Sequence, residues 1–488
     1  MTAEPSLPTL RHMVNWLLAR SRSLAVVSAF AFLPVAAVAC ADDAAPPASD
    51  PAFEANDDSA STEQPVTEVE NTKVKRQSIG NCWLYATVGW VESLHKGVGG
   101  EDLDVSESYL TYWHWFDQIA NNGGYSNEIS TGGSWSTAAG IIDRYGVMLE
   151  ADFIPSEANS ESSARQSSAL AAINLSLKSG ILKDPKARRD RKIVRREMDL
   201  AWGLTDSVKA NLDSAFGERA DKTLSSKQPT SALGLIKRAS DISVTYRTAP
   251  GAETEVRTLK DAIGSGSWSR QGEFVWEEVN FPYEDGQERR DFYKRIQRAL
   301  ADQQPVVISW FVDFNALTPN AAFSKAYLDE RSPGRQGGHM TVAVDYEIDN
   351  VPGFGLLKAG VAATPEQLQA ALADEAEIKF LRVKNSWGGV RLDRVPDSKL
   401  GGYYDLHADY LAGPNKKCTE VNGTSDPKQC TEGGPALWDV VLPPGYLPSQ
   451  RHASSARERA TAYEPGARGS TQGASPVCWR GFLAFGDR

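Results

Sequence analysis

An α+β fold follows from how two kinds of pattern are distributed along the chain. Helical periodicity dominates early, where Leu84, Val88, Val91 and Leu94 recur after Cys82. Short apolar runs bounded by turn residues dominate later, at Val306–Trp310, Met340–Val344, Phe380–Val383 and Tyr403–Leu406. The chain has 488 residues, 41% hydrophobic and 24% charged, which are globular values. A net charge of −11 argues against a nucleic-acid partner.

Residues 1–39 have the form of an export signal. Arg11, Arg20 and Arg22 make a basic region, and the 16 residues from Leu24 to Ala39 carry no charge. The run is short for a membrane-spanning helix. Cys40, directly after small residues, resembles the lipidated first residue of a bacterial lipoprotein and would anchor the chain to a membrane. Simple cleavage and an uncleaved anchor are the alternatives, and all three export the chain. Residues 40–72 are rich in Asp, Glu, Ala, Pro and Ser and read as a disordered acidic linker. The main domain is expected over 73–445.

Cys82 stands directly before the first helical pattern. At a helix N-terminus the dipole favours thiolate over thiol, and a thiolate is a nucleophile. A buried structural cysteine is the alternative. Ser106 is a suitable N-cap for a second helix over Tyr109–Ile119. Gly132-Gly133 precedes a third helical stretch. Residues 157–270 form a large, mainly helical insertion, in which the basic run 183–196 reads as a solvated helix face. Residues 243–258 and 274–280 alternate as strands do. Phe292, Ile296 and Leu300 share one helix face before Gln304-Pro305. Residues 362–377 suggest a further helix.

His339 opens an apolar strand after Gly337-Gly338, and Asn385-Ser386-Trp387-Gly388 follows another. A cysteine nucleophile needs a base, and the base needs an orienting acceptor. Gly80-Asn81-Cys82-Trp83, Gly338-His339 and Asn385-Ser386-Trp387-Gly388, in that order, resemble the papain-like cysteine peptidases. Cys82-Trp83-Leu84-Tyr85-Ala86, Ser106-Glu107-Ser108-Tyr109-Leu110 and Tyr145-Gly146-Val147 are closest in style to the bleomycin hydrolase and aminopeptidase C branch. That branch is cytosolic and hexameric, and this chain departs from it on export. Its oligomeric state and its aminopeptidase specificity are therefore not carried over.

The resemblance implies a helical left half, a β-barrel-like right half and an active-site cleft between them. It implies Cys82 as nucleophile, His339 as base in a thiolate–imidazolium pair, and Asn385 as the group that orients it. Trp387 would shield that bond. Gly132 and Gly133 would line the substrate cleft with Trp83 and Trp387. Gln77 would donate to the oxyanion, but it lies five positions before the cysteine where the family has six. Either a shorter loop still brings Gln77 to the site or the hole is altered. The expected activity is hydrolysis of peptide bonds in a peptide or protein substrate. An inactive binding protein on the same fold, or an acyl transferase using the same triad, are the alternatives.

No paired Cys–x–x–Cys or His–x–x–x–His spacing occurs, so neither a metal nor a cofactor is expected. Cys418 and Cys430, twelve apart in a polar stretch, are the natural disulfide of an oxidising compartment, with Cys478 a possible competitor. Residues 446–475 read as a disordered linker, and 476–488 as an apolar C-terminal segment.

Overall fold

The computed structural model describes residues 68–99, 102–121, 127–266, 270–283, 286–389, 400–421 and 424–447. The signal segment, Cys40, the linker up to residue 67, Cys478 and everything from 448 onward lie outside the described residues. Packing reaches back into the acidic stretch, because Val69 is buried and its N–H donates to Val344 O at 3.2 Å.

Three helices make the first wall: α1 (Cys82–Lys96), α2 (Glu107–Asn121) and α3 (Trp135–Tyr145). The periodicity of α1 suggests one apolar face, yet every residue from Cys82 to Leu94 is buried. The helix is enclosed, with α2 and α3 on one side and the sheet on the other, and a helix buried on all sides belongs to a core. Ser106 Oγ caps α2 by accepting from Tyr109 N at 3.0 Å. Ser134 Oγ caps α3 by accepting from Thr137 N.

The insertion adds helices at Ala164–Lys178, Arg191–Trp202 and Asp206–Phe216, followed by the hairpin β1 (Ser243–Tyr246) and β2 (Glu255–Thr258). Its basic run is only partly a solvated face. Arg188 is buried and donates to Leu177 O and Asn127 Oδ1, while buried Arg195 pairs with Asp199 at 3.0 Å. Buried guanidinium groups of this kind satisfy backbone and carboxylate acceptors and leave no ligand surface.

The second wall is one mixed sheet. Its strands are β3 (Glu277–Asn280), β4 (Val306–Asp313), β5 (Ala322–Phe323), β6 (Gln336–Val351), β7 (Gly355–Leu357), β8 (Glu377–Lys384), β9 (Tyr403–His407) and, after the separate hairpin β10 (Lys416–Val421) and β11 (Thr424–Glu432), β12 (Leu437–Leu442). The order is β3-β12-β4-β6-β8-β9-β5, with β7 pairing to β6. Among the described residues this sheet does not close into a barrel. Its ends are β3 and the two-residue β5, which do not pair with each other. The helix Gln287–Ala301 buries Phe292, Ile296 and Leu300. The stretch 362–377 holds only a short helix, Pro365–Ala370, capped by Thr364 and Gln367. Cys418 and Cys430 face each other across β10 and β11 and are disulfide-bonded.

Candidate active site

Cys82 is the first residue of α1, with no acidic residue in the first turn to oppose a thiolate. Trp83, next to it, donates from Nε1 to Thr131 O at 2.8 Å. Gly133 lies flat against that indole: a Cβ there would stand 2.5 Å from Trp83 Cε2, so no larger residue fits. Gly132 is in the same loop, ahead of the Ser134 cap. His114 packs edge-on against Trp83, which makes it a packing residue.

His339 lies on β6 opposite Trp310 of β4 and has no exposed surface. Its Nε2 is 2.7 Å from Asn385 Oδ1, just past the end of β8. Asn385 Oδ1 also takes the Ser386 N–H at 2.7 Å, so this atom is the acceptor and His339 Nε2 carries the proton. Trp387 stacks on the imidazole at 4.7 Å and 18°, covering that bond, and Trp310 closes the ring's edge at 5.6 Å. His339 Nδ1 is buried and has no hydrogen-bond partner among the described residues. Burial pulls the His339 pKa down to about 4, against the pull of Asn385 in the other direction. The ring is therefore neutral near pH 7, with its lone pair on Nδ1.

Gln77 is tied to the same strand end. Its N–H donates to Ser386 O at 2.8 Å, its Oε1 accepts from Ser386 Oγ at 2.5 Å, and its Nε2 donates to Ile79 O at 2.8 Å. One Nε2 hydrogen remains beyond that bond. The five-residue spacing thus leaves Gln77 beside the Asn385 loop.

α1 packs against β6. Tyr85 and Ala86, Met340 and Thr341, and Asn385 and Ser386 line a single small cavity. Val342 Cγ2 stands 3.5 Å from the place a Gly89 Cβ would occupy. In this structure Cys82 is disulfide-bonded. The thiolate–imidazolium pair expected from the sequence requires the reduced thiol.

A buried ionic chain behind the site was not read from the sequence. Lys384 Nζ, on the residue before Asn385, donates to Thr72 Oγ1 at 2.9 Å, and Thr72 Oγ1 donates to Glu92 Oε2. Glu92 is on α1, and its Oε1 lies 3.2 Å from Lys75 Nζ. Lys75 reaches Glu107 of α2 at 3.0 Å and Asp104 at 2.8 Å. Burial would lower the Lys75 pKa, but Glu107, Glu92 and Asp104 outweigh it and hold it well above its ordinary value. Among the described residues Lys384 has one direct acceptor, and burial lowers its pKa to about 8. The signal available in the sequence was a charged residue, Glu92, inside an otherwise apolar helix.

No family model matches the chain, and no curated protein matches it.

Proposed function

We propose that this chain is a cysteine peptidase of the papain type, with Cys82, His339 and Asn385 as its triad. The observation that carries the reading is the His339 ring: Nε2 bonded to Asn385, Trp387 over the bond, and Nδ1 without a partner among the described residues.

Once the disulfide is reduced, the Cys82 thiol passes its proton to His339 Nδ1. The thiolate attacks the substrate carbonyl carbon. The oxyanion takes hydrogen bonds from the Cys82 N–H and the remaining Gln77 Nε2 hydrogen. Asn385 keeps the imidazolium aligned while it protonates the leaving amine, and water then hydrolyses the thioester by the reverse path. The Cys418–Cys430 disulfide supports an exported, oxidising location.

The reading is tested with the reduced full chain and an internally quenched peptide library. Hydrolysis that disappears in Cys82→Ala and releases a free acid supports it. Turnover that persists in Cys82→Ala refutes it, and amide products in the presence of an added amine would reassign the triad to acyl transfer.

A further inference from the structure

The segment that carries Gln77 is gripped by the insertion as well as by Ser386. Arg76 pairs through its backbone with Trp387, antiparallel, and with Ser162, parallel. Its N–H donates to Glu161 O at 2.6 Å, while the next N–H, that of Gln77, donates to Ser386 O at 2.8 Å. Successive N–H groups of an extended segment point to opposite sides, so Arg76 and Gln77 run between the Asn385 loop and the start of the insertion. The Glu161 carboxylate closes this arrangement. Its Oε2 lies 3.2 Å from Arg76 Nη2, and its Oε1 accepts the Gly389 N–H. Gly388 has a φ of +84° and no side chain to obstruct the Arg76 guanidinium that lies against it. One side chain of the insertion thus holds both the residue before Gln77 and the loop after Trp387.

The rest of the segment up to Cys82 is held by the same stretch. Ser78 Oγ donates to Ser163 O at 2.7 Å, and Ser78 O accepts from Ser167 Oγ at 3.2 Å. Asn81 Nδ2 donates to Gln166 Oε1 at 3.0 Å. Gln166 is buried and also donates to Ser108 Oγ of α2 at 3.1 Å. Glu157 fixes the stretch in turn, accepting from Ser163 Oγ at 2.5 Å and from Arg165 N at 2.9 Å. Residues 76–81 belong to no helix or strand, so their shape rests on bonds of this kind.

We propose that Glu161 is a positioning residue for the Gln77 oxyanion donor, and that the leading stretch of the insertion, 161–167, serves the site in this way. The proposal rests on the peptidase reading. Glu161 acts through Arg76 and Gly389 and keeps the remaining Gln77 Nε2 hydrogen aimed at the oxyanion. A donor free to swing must be ordered in each turnover, which costs rate more than substrate binding.

The test uses the reduced full chain and one well-cleaved quenched peptide. Rates are expressed per Cys82 that iodoacetamide alkylates, so misfolded molecules drop out of the count. The Glu161 side chain is 39% exposed, so its replacement leaves the core intact. Glu161→Ala should lower kcat per reactive Cys82 by about tenfold and leave KM within about twofold, a smaller loss than deleting the donor. Glu161→Gln keeps an acceptor for the Gly389 N–H and should recover most of that loss. Made on top of Gln77→Ala, Glu161→Ala should have little further effect, because the group it positions is gone. A merely structural role would multiply the two losses. An unchanged kcat per reactive Cys82 in Glu161→Ala would overturn this proposal alone, and so would independent losses in the double variant. A wild-type chain that cleaves no peptide would sink the peptidase reading and this positioning role with it.

Discussion

Ser386 Oγ donates to Gln77 Oε1 at 2.5 Å, joining the loop after β8 to the segment before Cys82. The bond fixes which way the Gln77 amide faces. Gln77→Ala should lower kcat by roughly 10²–10³, the usual effect of removing one oxyanion donor. Ser386→Ala frees the amide to rotate but keeps the donor, so its loss should be smaller, about tenfold. Single-turnover acylation rates check both. Equal losses would mean that Gln77 acts only as a strut.

Asn385 gives His339 its tautomer. In Asn385→Ala the ring can place its proton on Nδ1, where it cannot accept one from Cys82. A fall in kcat of roughly 10² is expected, with KM little changed, in keeping with the size of a general-base contribution. Steady-state kinetics with one good peptide, together with the pH profile, make the check.

Reduction should switch the enzyme on, since a disulfide-bonded Cys82 has no thiolate. The full chain isolated without reductant should be inactive and should not label with iodoacetamide at Cys82. A dithiol should release both the labelling and the activity. Full activity in the oxidised chain would contradict the assignment of Cys82 as nucleophile.

The disulfide-bonded chain should lose stability as pH falls through the range set by His339. The folded pKa is depressed from 6.5 to about 4. Between those values the unfolded chain binds a proton that the folded chain does not. Stability from this group is therefore complete above pH 6.5 and declines towards pH 4, by about 3 kcal/mol in all. Urea denaturation without reductant, on the wild type and His339→Gln, should show a shallower slope in the variant.

Glu92 is the centre of the buried chain from Lys384 to Lys75. Glu92→Ala leaves a buried ammonium short of a carboxylate, and a loss of roughly 3–5 kcal/mol is expected. Lys192→Ala removes an exposed pair with Glu218 and should leave the unfolding midpoint unmoved. Guanidinium titration of the two variants separates a buried network from ordinary surface charge.

Local pattern made the elements readable. The strands at 306, 340, 380 and 403 are apolar runs of strand length, and the Ser106 cap stands where its helix starts. Tertiary features did not show in this way. The periodicity of α1 suggests one buried face, but a helix enclosed by partners on both sides buries its polar positions too. The Lys384–Thr72–Glu92–Lys75 chain joins segments up to 312 positions apart, and no local window contains it. The barrel-like half expected from the family resemblance is an open sheet here, because closure depends on how edge strands pair. Arg188 and Arg195 looked like surface charge because nothing in their neighbours shows which helix will cover them.

The placement of β12 has a consequence for synthesis. Strands β3 and β4 flank it and do not pair with each other. Until Leu437–Leu442 has left the ribosome, both present open edges, and the sheet that carries His339 is unfinished. Pairing across such a separation is slow and leaves those edges available to other chains meanwhile. A ribosome that stalls before Leu437 would thus release a fragment that contains Cys82, His339 and Asn385 but lacks the strand that joins β3 to β4.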